Sequence, residues 1–325
     1  MSTHYGVVGL GPVGAIFAAM LGKAGHRVSL VERNATRAEH FKKATLKISG
    51  KLQAEWAPKN VYAHLDEFLA AGPEVILICT KASQSVDLVR HMKAMGVSKD
   101  TVFVCCQNGI DVENLVSEVF GADRVLRAVL NLGCNFVRVN EVWVEFCFRH
   151  VLSANPDSKG MDRKIAADLC AAGLEFDLRA EYREDVYRKA ILNTALSTPC
   201  ALTRLTMREA MSDPEIVRMV TQSVHESLLV AEAMKFPTLG RSWQEPALAY
   251  LRQGGDHKPS MLVDIEASRN TENEFHAGAI FRYAQQYGID VPVIQTLYYL
   301  TKNLERAVVL NHYVSGGMRG NGTDL

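Results

Sequence analysis

The chain has 325 residues, enough for two domains with cores of their own, and at 48% hydrophobic and 22% charged it has the composition of a soluble globular protein rather than a disordered one. Its 36 basic and 36 acidic residues cancel, which argues against a nucleic-acid groove or an anionic membrane surface as partner. The seven cysteines are odd in number and form no CxxC pair, and no His/Cys/Glu cluster has metal spacing; buried reduced thiols, a cytoplasmic setting and no metal are expected.

In chain order, Tyr5 to Val8 is a short apolar run, followed by Gly9-Leu10-Gly11-Pro12-Val13-Gly14, an alanine-rich stretch to Ala24, a turn at Gly25-His26 and a second apolar run ending Val31-Glu32-Arg33. This reads strand, glycine turn, helix, strand, the arrangement that lays a dinucleotide pyrophosphate on a helix amino terminus. Residues 6 to 22 carry no charge, but the stretch is shorter than the roughly 20 residues of a membrane span. It also holds five glycines and a proline and has no basic region before it. At the end of the second strand an acid favours NAD and a nearby arginine favours NADP. Glu32 and Arg33 supply one of each, with Arg37 close behind, so spacing alone leaves the cofactor open.

A short helix after Arg33 and an extended segment from Thr45 to Asn60 come next, then a helix at Asp66 to Ala71. Glu74 to Thr80 and Thr101 to Cys106 are continuous apolar runs suited to buried parallel strands. Between them lies an amphipathic helix, Ser85 to Met95. Arg124 to Ser153 is rich in Val, Phe and Trp and reads as two or three strands. A helix from Met161 to Ala172 and a strand at Glu175 to Leu178 close a doubly wound α/β domain. From Tyr182 the pattern is helical. Asp213-Pro214-Glu215 starts a helix whose Ile216, Met219, Val220, Val224, Leu228 and Ala231 recur at helical spacing. Pro237 is expected to end it, Pro259-Ser260 to start another, and Gly288 to terminate a third. A long helix is expected from Pro292 to about Leu310, before a frayed tail from Ser315 to Leu325. The predicted fold is an N-terminal Rossmann-type domain, residues 1–180, followed by an all-helical domain, residues 181–325.

Reducing a ketone with a nicotinamide needs a proton donor for the developing alkoxide. Lys189, Asn193 and Ser197 are spaced four apart and fall on one helix face; on that pattern alone a solvent-exposed lysine on an amphipathic helix is the favoured reading. Ser260 and Asp264 lie one helical turn apart, where Ser260 serves either a ligand or as a helix cap and Asp264 has Arg269 as a structural partner. Thr271-Glu272-Asn273-Glu274 has the form of a capping box opening a new helix.

Taken in order and spacing, Gly9-x-Gly11-x-x-Gly14, Thr80-Lys81-Ala82, Gln107-Asn108-Gly109, Lys189-x-x-x-Asn193, Ser260-Met261-Leu262-x-Asp264 and Thr271-Glu272 resemble the ketopantoate reductase (2-dehydropantoate 2-reductase) family over nearly the whole chain. The resemblance implies NADPH-dependent reduction of a 2-keto acid, ketopantoate to pantoate in the pantothenate pathway, in a cleft between the domains. It assigns Lys189 as the acid that protonates the ketone oxygen and Glu272 as the carboxylate beside it, near substrate and cofactor. Asn193 and Ser197 line the same site. Ser260 and Asn108 contact substrate or nicotinamide. Gly9, Leu10, Gly11, Pro12, Val13 and Gly14 carry the pyrophosphate, with Glu32, Arg33 and Lys81 nearby. Arg33 matches the position that binds the 2′-phosphate and favours NADPH; Glu32 leaves NADH open.

Three departures concern the substrate more than the reaction. Ser197 stands where many members have asparagine, Asn273-Glu274 replaces the usual Ile-Asp, and Ala277-Gly278 replaces Asn-Gly. The region around Trp143 is also aromatic-rich. These keep alive a sister dehydrogenase with a bulkier or aromatic 2-keto acid, as in the related D-mandelate dehydrogenases, and, more remotely, a nucleotide-binding protein without catalysis. A homodimer is compatible with a helical second domain, but no sequence pattern requires one.

Overall fold

The computed structural model describes residues 2–316, with side chains to residue 310. The chain divides into two compact units, Met1–Tyr182 and Arg183–Leu325.

The first unit alternates strand and helix: β1 (His4–Val8), α1 (Pro12–Lys23), β2 (Arg27–Val31), α2 (Ala35–Lys43), β3 (Leu46–Gly50), β4 (Ala54–Trp56), β5 (Asn60–Tyr62), α3 (Leu65–Ala70), β6 (Val75–Ile78), α4 (Ser85–Met95), β7 (Val102–Cys105), α5 (Val112–Phe120), β8 (Val125–Val129), β9 (Leu132–Arg138), β10 (Glu141–Cys147), β11 (His150–Ser153), α6 (Met161–Ala171) and β12 (Phe176–Arg179). The main sheet runs β12-β11-β8-β7-β6-β1-β2-β5. All its pairs from β8 to β5 are parallel, whereas β11 lies antiparallel to β8.

Strand alternation sorts the core into two layers. Val7, Val75, Leu77, Val102 and Val104 face α1 and α6 with Ile16, Phe17, Leu21, Ile165 and Leu169. Val8, Ile76, Ile78, Phe103 and Cys105 face α3, α4 and α5 with Phe68, Val89, Met92, Val116 and Phe120. Burial on both faces is why β6 and β7 are apolar at every position. A second sheet, β4-β3-β10-β9, packs over α1.

The expected two or three strands in 124–153 are four. Turns at Leu130-Asn131, Val139-Asn140 and Phe148-Arg149 divide the aromatic-rich stretch. Helix α5 lies in a stretch, 110–123, for which the sequence reading offered no element. Of the seven cysteines, only Cys105, Cys106 and Cys200 are buried and Cys170 is exposed, which corrects the expectation of seven buried thiols.

The second unit is helical: α7 (Tyr182–Leu192), a π-helical turn at Asn193–Ser197, α8 (Thr198–Thr203), α9 (Met207–Ser212), α10 (Pro214–Ala233), α11 (Gln244–Leu251), α12 (Ser260–Glu266), α13 (Ala277–Tyr287) and α14 (Pro292–Gly316). Asp213 caps α10, accepting from the Glu215 and Ile216 amides at 2.8 and 3.0 Å. The apolar stripe of α10 is buried at Ile216, Val220, Val224, Leu228 and Ala231. Buried Glu226 on the same helix receives the first amides of α14, Val293 at 3.2 Å and Ile294 at 2.9 Å. A carboxylate there answers both the orphan N–H groups and the positive end of the helix dipole.

Two helix ends differ from expectation. Helix α10 stops at Ala233, because Lys235 takes a left-handed φ of 61°, before Pro237 is reached. Helix α14 continues to Gly316, through Ser315, and the remainder of the expected tail, 317–325, lies outside the described residues.

Candidate active site

The strand order of the main sheet reverses at β1. From there it runs one way to β2 and β5 and the other way to β6, β7 and β8. A parallel sheet opens its ligand crevice beyond the carboxyl ends at such a reversal. The predicted nucleotide residues of this unit sit there: Gly9–Gly14 after β1, Glu32 and Arg33 after β2, Lys81 after β6 and Asn108 after β7; Glu272, also expected near the cofactor, belongs to the helical unit.

Gly9 has φ +93°, and a Cβ on it would lie 2.7 Å from the Thr80 amide nitrogen. A Cβ on Gly14 would lie 2.1 Å from the Gly9 carbonyl. Both positions therefore exclude any side chain. Gly11 is the reverse: a Cβ there would meet no atom within 4 Å. It precedes α1 without any side-chain cap, and Pro12 occupies the first helical position. The loop thus leaves open space beside helix amides that have no intrahelical partner, which suits a pyrophosphate.

Glu32 is nearly buried, and its carboxylate is already engaged. It accepts from the Asn34 amide at 3.0 Å and lies 3.2 Å from the Arg37 guanidinium. Arg37 in turn donates to the Leu10 carbonyl at 2.7 Å, tying the strand end to the glycine loop. Arg33 is exposed. Behind the Gln107-Asn108-Gly109 turn, buried Arg127 donates to the Gly109 carbonyl at 2.9 Å and faces Glu113 at 3.5 Å. The Gln107 amide donates to Ser85 Oγ at 2.7 Å. Among neighbouring thiols, burial pushes Cys106 well up, reinforced by its contact with Cys79.

In the helical unit a small recess is lined by Asn193, Ser197, Ser260, Met261, Asp264, Glu272 and His276. Three separate stretches of chain meet there, and Asn193, Ser197, Ser260 and Glu272 are four of the sequence-predicted site residues. Lys189 is half-buried on α7, one turn before Asn193; it is not among the residues lining the recess. The π-helical turn widens the coil between Asn193 and Ser197. Such turns hold one residue more than an α-helical turn and recur at functional sites.

Ser260 is the first residue of α12 and makes no capping bond. It is exposed, whereas Asp264 on the next turn is buried and accepts from Arg269 at 3.0 and 3.2 Å.

The stretch Thr271–Gly278 is not the capping box expected. The Thr271 amide and hydroxyl both donate to Glu305 Oε2, at 3.0 and 2.5 Å, and the Asn273 amide donates to the Thr271 hydroxyl at 3.1 Å. Asn273 Nδ2 donates to the Tyr298 carbonyl at 3.0 Å. Glu274 pairs with Arg282 at 2.5 Å and accepts from the Tyr298 hydroxyl at 2.7 Å. Burial would raise the Glu274 carboxyl, but hydrogen bonds from Tyr298 and Lys302 and the charges of Lys302 and Arg282 outweigh it and hold the carboxyl low. Residue 278 must be glycine for α14 to lie so close, since a Cβ would come 2.8 Å from the Tyr298 ring. The result is a short stretch pinned to α14 that presents Glu272 and His276 to the recess. His276 was not singled out by the sequence reading; one histidine at the start of a helix carries no local signal.

Comparison with known proteins gives the same layout. A family model for ketopantoate reductase PanE/ApbA matches residues 5–151, and one for the C-terminal part of the same family matches residues 181–305. The 2-dehydropantoate 2-reductase of Aquifex aeolicus is 24% identical over 314 residues, covering 94% of this chain and 97% of that protein. A PanE/ApbA family ketopantoate reductase from Ralstonia eutropha superposes with a TM-score of 0.84 at 20% identity, covering 94% of this chain and 99% of that one. A D-mandelate dehydrogenase solved with NADH and anilino(oxo)acetate superposes with a TM-score of 0.82 at 23% identity and the same coverage. With both parts matched in order along a two-unit chain of this architecture, the protein belongs to the ketopantoate reductase family of nicotinamide-dependent oxidoreductases.

Proposed function

We propose that the protein reduces a 2-keto acid to the 2-hydroxy acid with NADPH, and that the acid is ketopantoate. The observation that carries this reading is the recess itself, where Asn193, Ser197, Ser260 and Glu272 converge from three segments on the unit that bears Lys189. Gly9, Gly11 and Gly14 fit a dinucleotide by the open space over Gly11 and the free amides of the first turn of α1. Leu10, Pro12 and Val13 complete that loop, with Arg33 beside the adenosine phosphate and Lys81 and Asn108 on the same sheet edge. When bound, the cofactor supplies a hydride to C2 of the acid.

Lys189 holds the proton that the ketone oxygen takes up as it becomes an alkoxide, and its positive charge favours that oxygen before transfer. Ser260, a neutral donor in the recess, orients the substrate carboxylate without a permanent ion pair; Asn108, at the carboxyl end of β7, is a neutral donor of the same kind. Glu272, buried and held by the Thr271 anchor, keeps the ammonium group oriented.

A kinetic panel tests this. NADPH and NADH are each assayed against ketopantoate, 2-ketoisovalerate and phenylglyoxylate. Ketopantoate with NADPH is expected to give the highest kcat/KM, and Lys189→Ala should lower kcat by about 100-fold or more with NADPH affinity nearly unchanged. Near-normal turnover in the variant removes Lys189 from the mechanism. Equal or better turnover of phenylglyoxylate moves the protein to the aromatic 2-hydroxy acid dehydrogenases.

A further inference from the structure

Strand β8 is buried along its whole length. A strand covered on both faces ordinarily carries apolar residues throughout, yet its central residue is an arginine. Arg127 stands in register with Cys105 of β7 and is 3% exposed. Its partner, Glu113 on α5, is also buried, and the two charges lie 3.5 Å apart without a hydrogen bond between those atoms. Removing two charges from water is costly, and apolar residues of similar volume often serve stability as well or better. A pair with this geometry therefore has no ready explanation in stability.

The guanidinium does make one directed bond. Among the described residues Arg127 Nε and Nη1 have no hydrogen-bond partner, whereas Nη2 donates to the Gly109 carbonyl at 2.9 Å. That carbonyl belongs to a turn that local preference does not hold in shape. Gly109 has φ +109°, and Asp111, which carries a Cβ, has φ +62°. At the near end of the turn the buried Gln107 amide donates to Ser85 Oγ at 2.7 Å. The backbone is thus gripped on either side of Asn108, which is half-buried between two buried neighbours at the carboxyl end of β7.

We propose that Arg127 is a positioning residue: its bond to the Gly109 carbonyl fixes the turn that carries Asn108, and Glu113 balances the guanidinium charge within the core. The inference rests on the reductase reading, in which Asn108 serves the reaction from the nucleotide unit. Arg127→Met alone would leave Glu113 as an unpaired buried charge, so the test removes both charges. Arg127→Met with Glu113→Leu is made alone and together with Asn108→Ala, in the full-length enzyme, and assayed with NADPH on whichever keto acid the wild type reduces fastest.

The paired variant should melt within about 5 °C of the wild type. Its kcat/KM should fall at least roughly tenfold, with the loss in kcat, as misplacement of a group near the chemistry does. Asn108→Ala should lose as much or more. Adding the paired change to Asn108→Ala should cost no more than about a further twofold, because residues that act through one group are not additive.

Multiplying losses would show that Arg127 does not act through Asn108 and would overturn the proposal. Wild-type kinetics in the paired variant or in Asn108→Ala would overturn it as well. A paired variant that does not fold would assign the pair to stability, with the same result. In each of these cases the wild type is still a reductase and that reading stands; a wild type that reduces none of the panel acids defeats the reading and the proposal together.

Discussion

Asp168 shows how much one side chain holds together in the nucleotide unit. It accepts from the Thr3 and Tyr5 hydroxyls, each at 2.8 Å, and from Lys164 at 2.9 Å, joining β1 to α6. Burial would raise its carboxyl, but the hydrogen bonds from Lys164, Thr3 and Tyr5 and the Lys164 charge win, and its pKa lies below the ordinary carboxylate value. A depressed folded pKa gives stability that is present above the unfolded value, near 3.9, and is lost as pH falls through the folded one. Lys164 is substantially exposed, so its ionic share is screened, and the hydroxyl bonds carry most of the effect. Asp168→Asn should cost about 1–2 kcal/mol at pH 7, with the gap to wild type closing in acid. Urea melts at pH 7 and pH 3 check this; an equal gap at both pH values would mean the charge is irrelevant. Nothing in the sequence singled out Asp168, because its partners are more than 160 residues away at Thr3 and Tyr5. His276 escaped for a related reason: its place in the recess is set by the anchoring of neighbouring residues on α14, which leaves no mark in spacing.

At the scale of elements, the sequence was most readable where a pattern is local. The strand–glycine turn–helix–strand start, the buried runs of β6 and β7 and the stripe of α10 all follow from periodicity and punctuation. Partnership was not readable: β3 pairs with β10, some 90 residues later. Helix α5 was missed because it is nine residues long and Asp111 before it sits in the left-handed region without a capping bond. Thr271-Glu272 was recognised as a motif but misread as a cap, since the partner of Thr271 is Glu305 on α14. That anchor has a functional consequence. Glu305→Ala should release the Thr271 stretch, lowering kcat/KM on the keto acid by about tenfold through misplacement of Glu272, and lowering the melting temperature by only a few degrees. Unchanged kinetics in a folded variant would show that the anchor does not position the site.

For the whole molecule, the two-unit layout was legible from composition and periodicity, because a parallel α/β unit and a helical unit leave different apolar rhythms. Cofactor choice was not, since Glu32 and Arg33 argue in opposite directions. The ion pair with Arg37 answers the charge of Glu32, so an acid at that position does not by itself exclude the 2′-phosphate proposed above. A ligand that binds only the folded state stabilises it by about 2.7 kcal/mol at 100 times its Kd. NADPH should therefore raise the melting temperature of the wild type more than NADH does at equal concentration, and Arg33→Ala should erase that difference. Equal shifts in the wild type would mean the arginine does not read the 2′-phosphate.

The wide turn at Asn193–Ser197 takes up one residue more than an ordinary helical turn. Deleting Ala195 would let the coil close to regular helix with the segments on either side still in phase, so the loss would fall on the spacing of Asn193 and Ser197 in the recess and spare the helices that flank them.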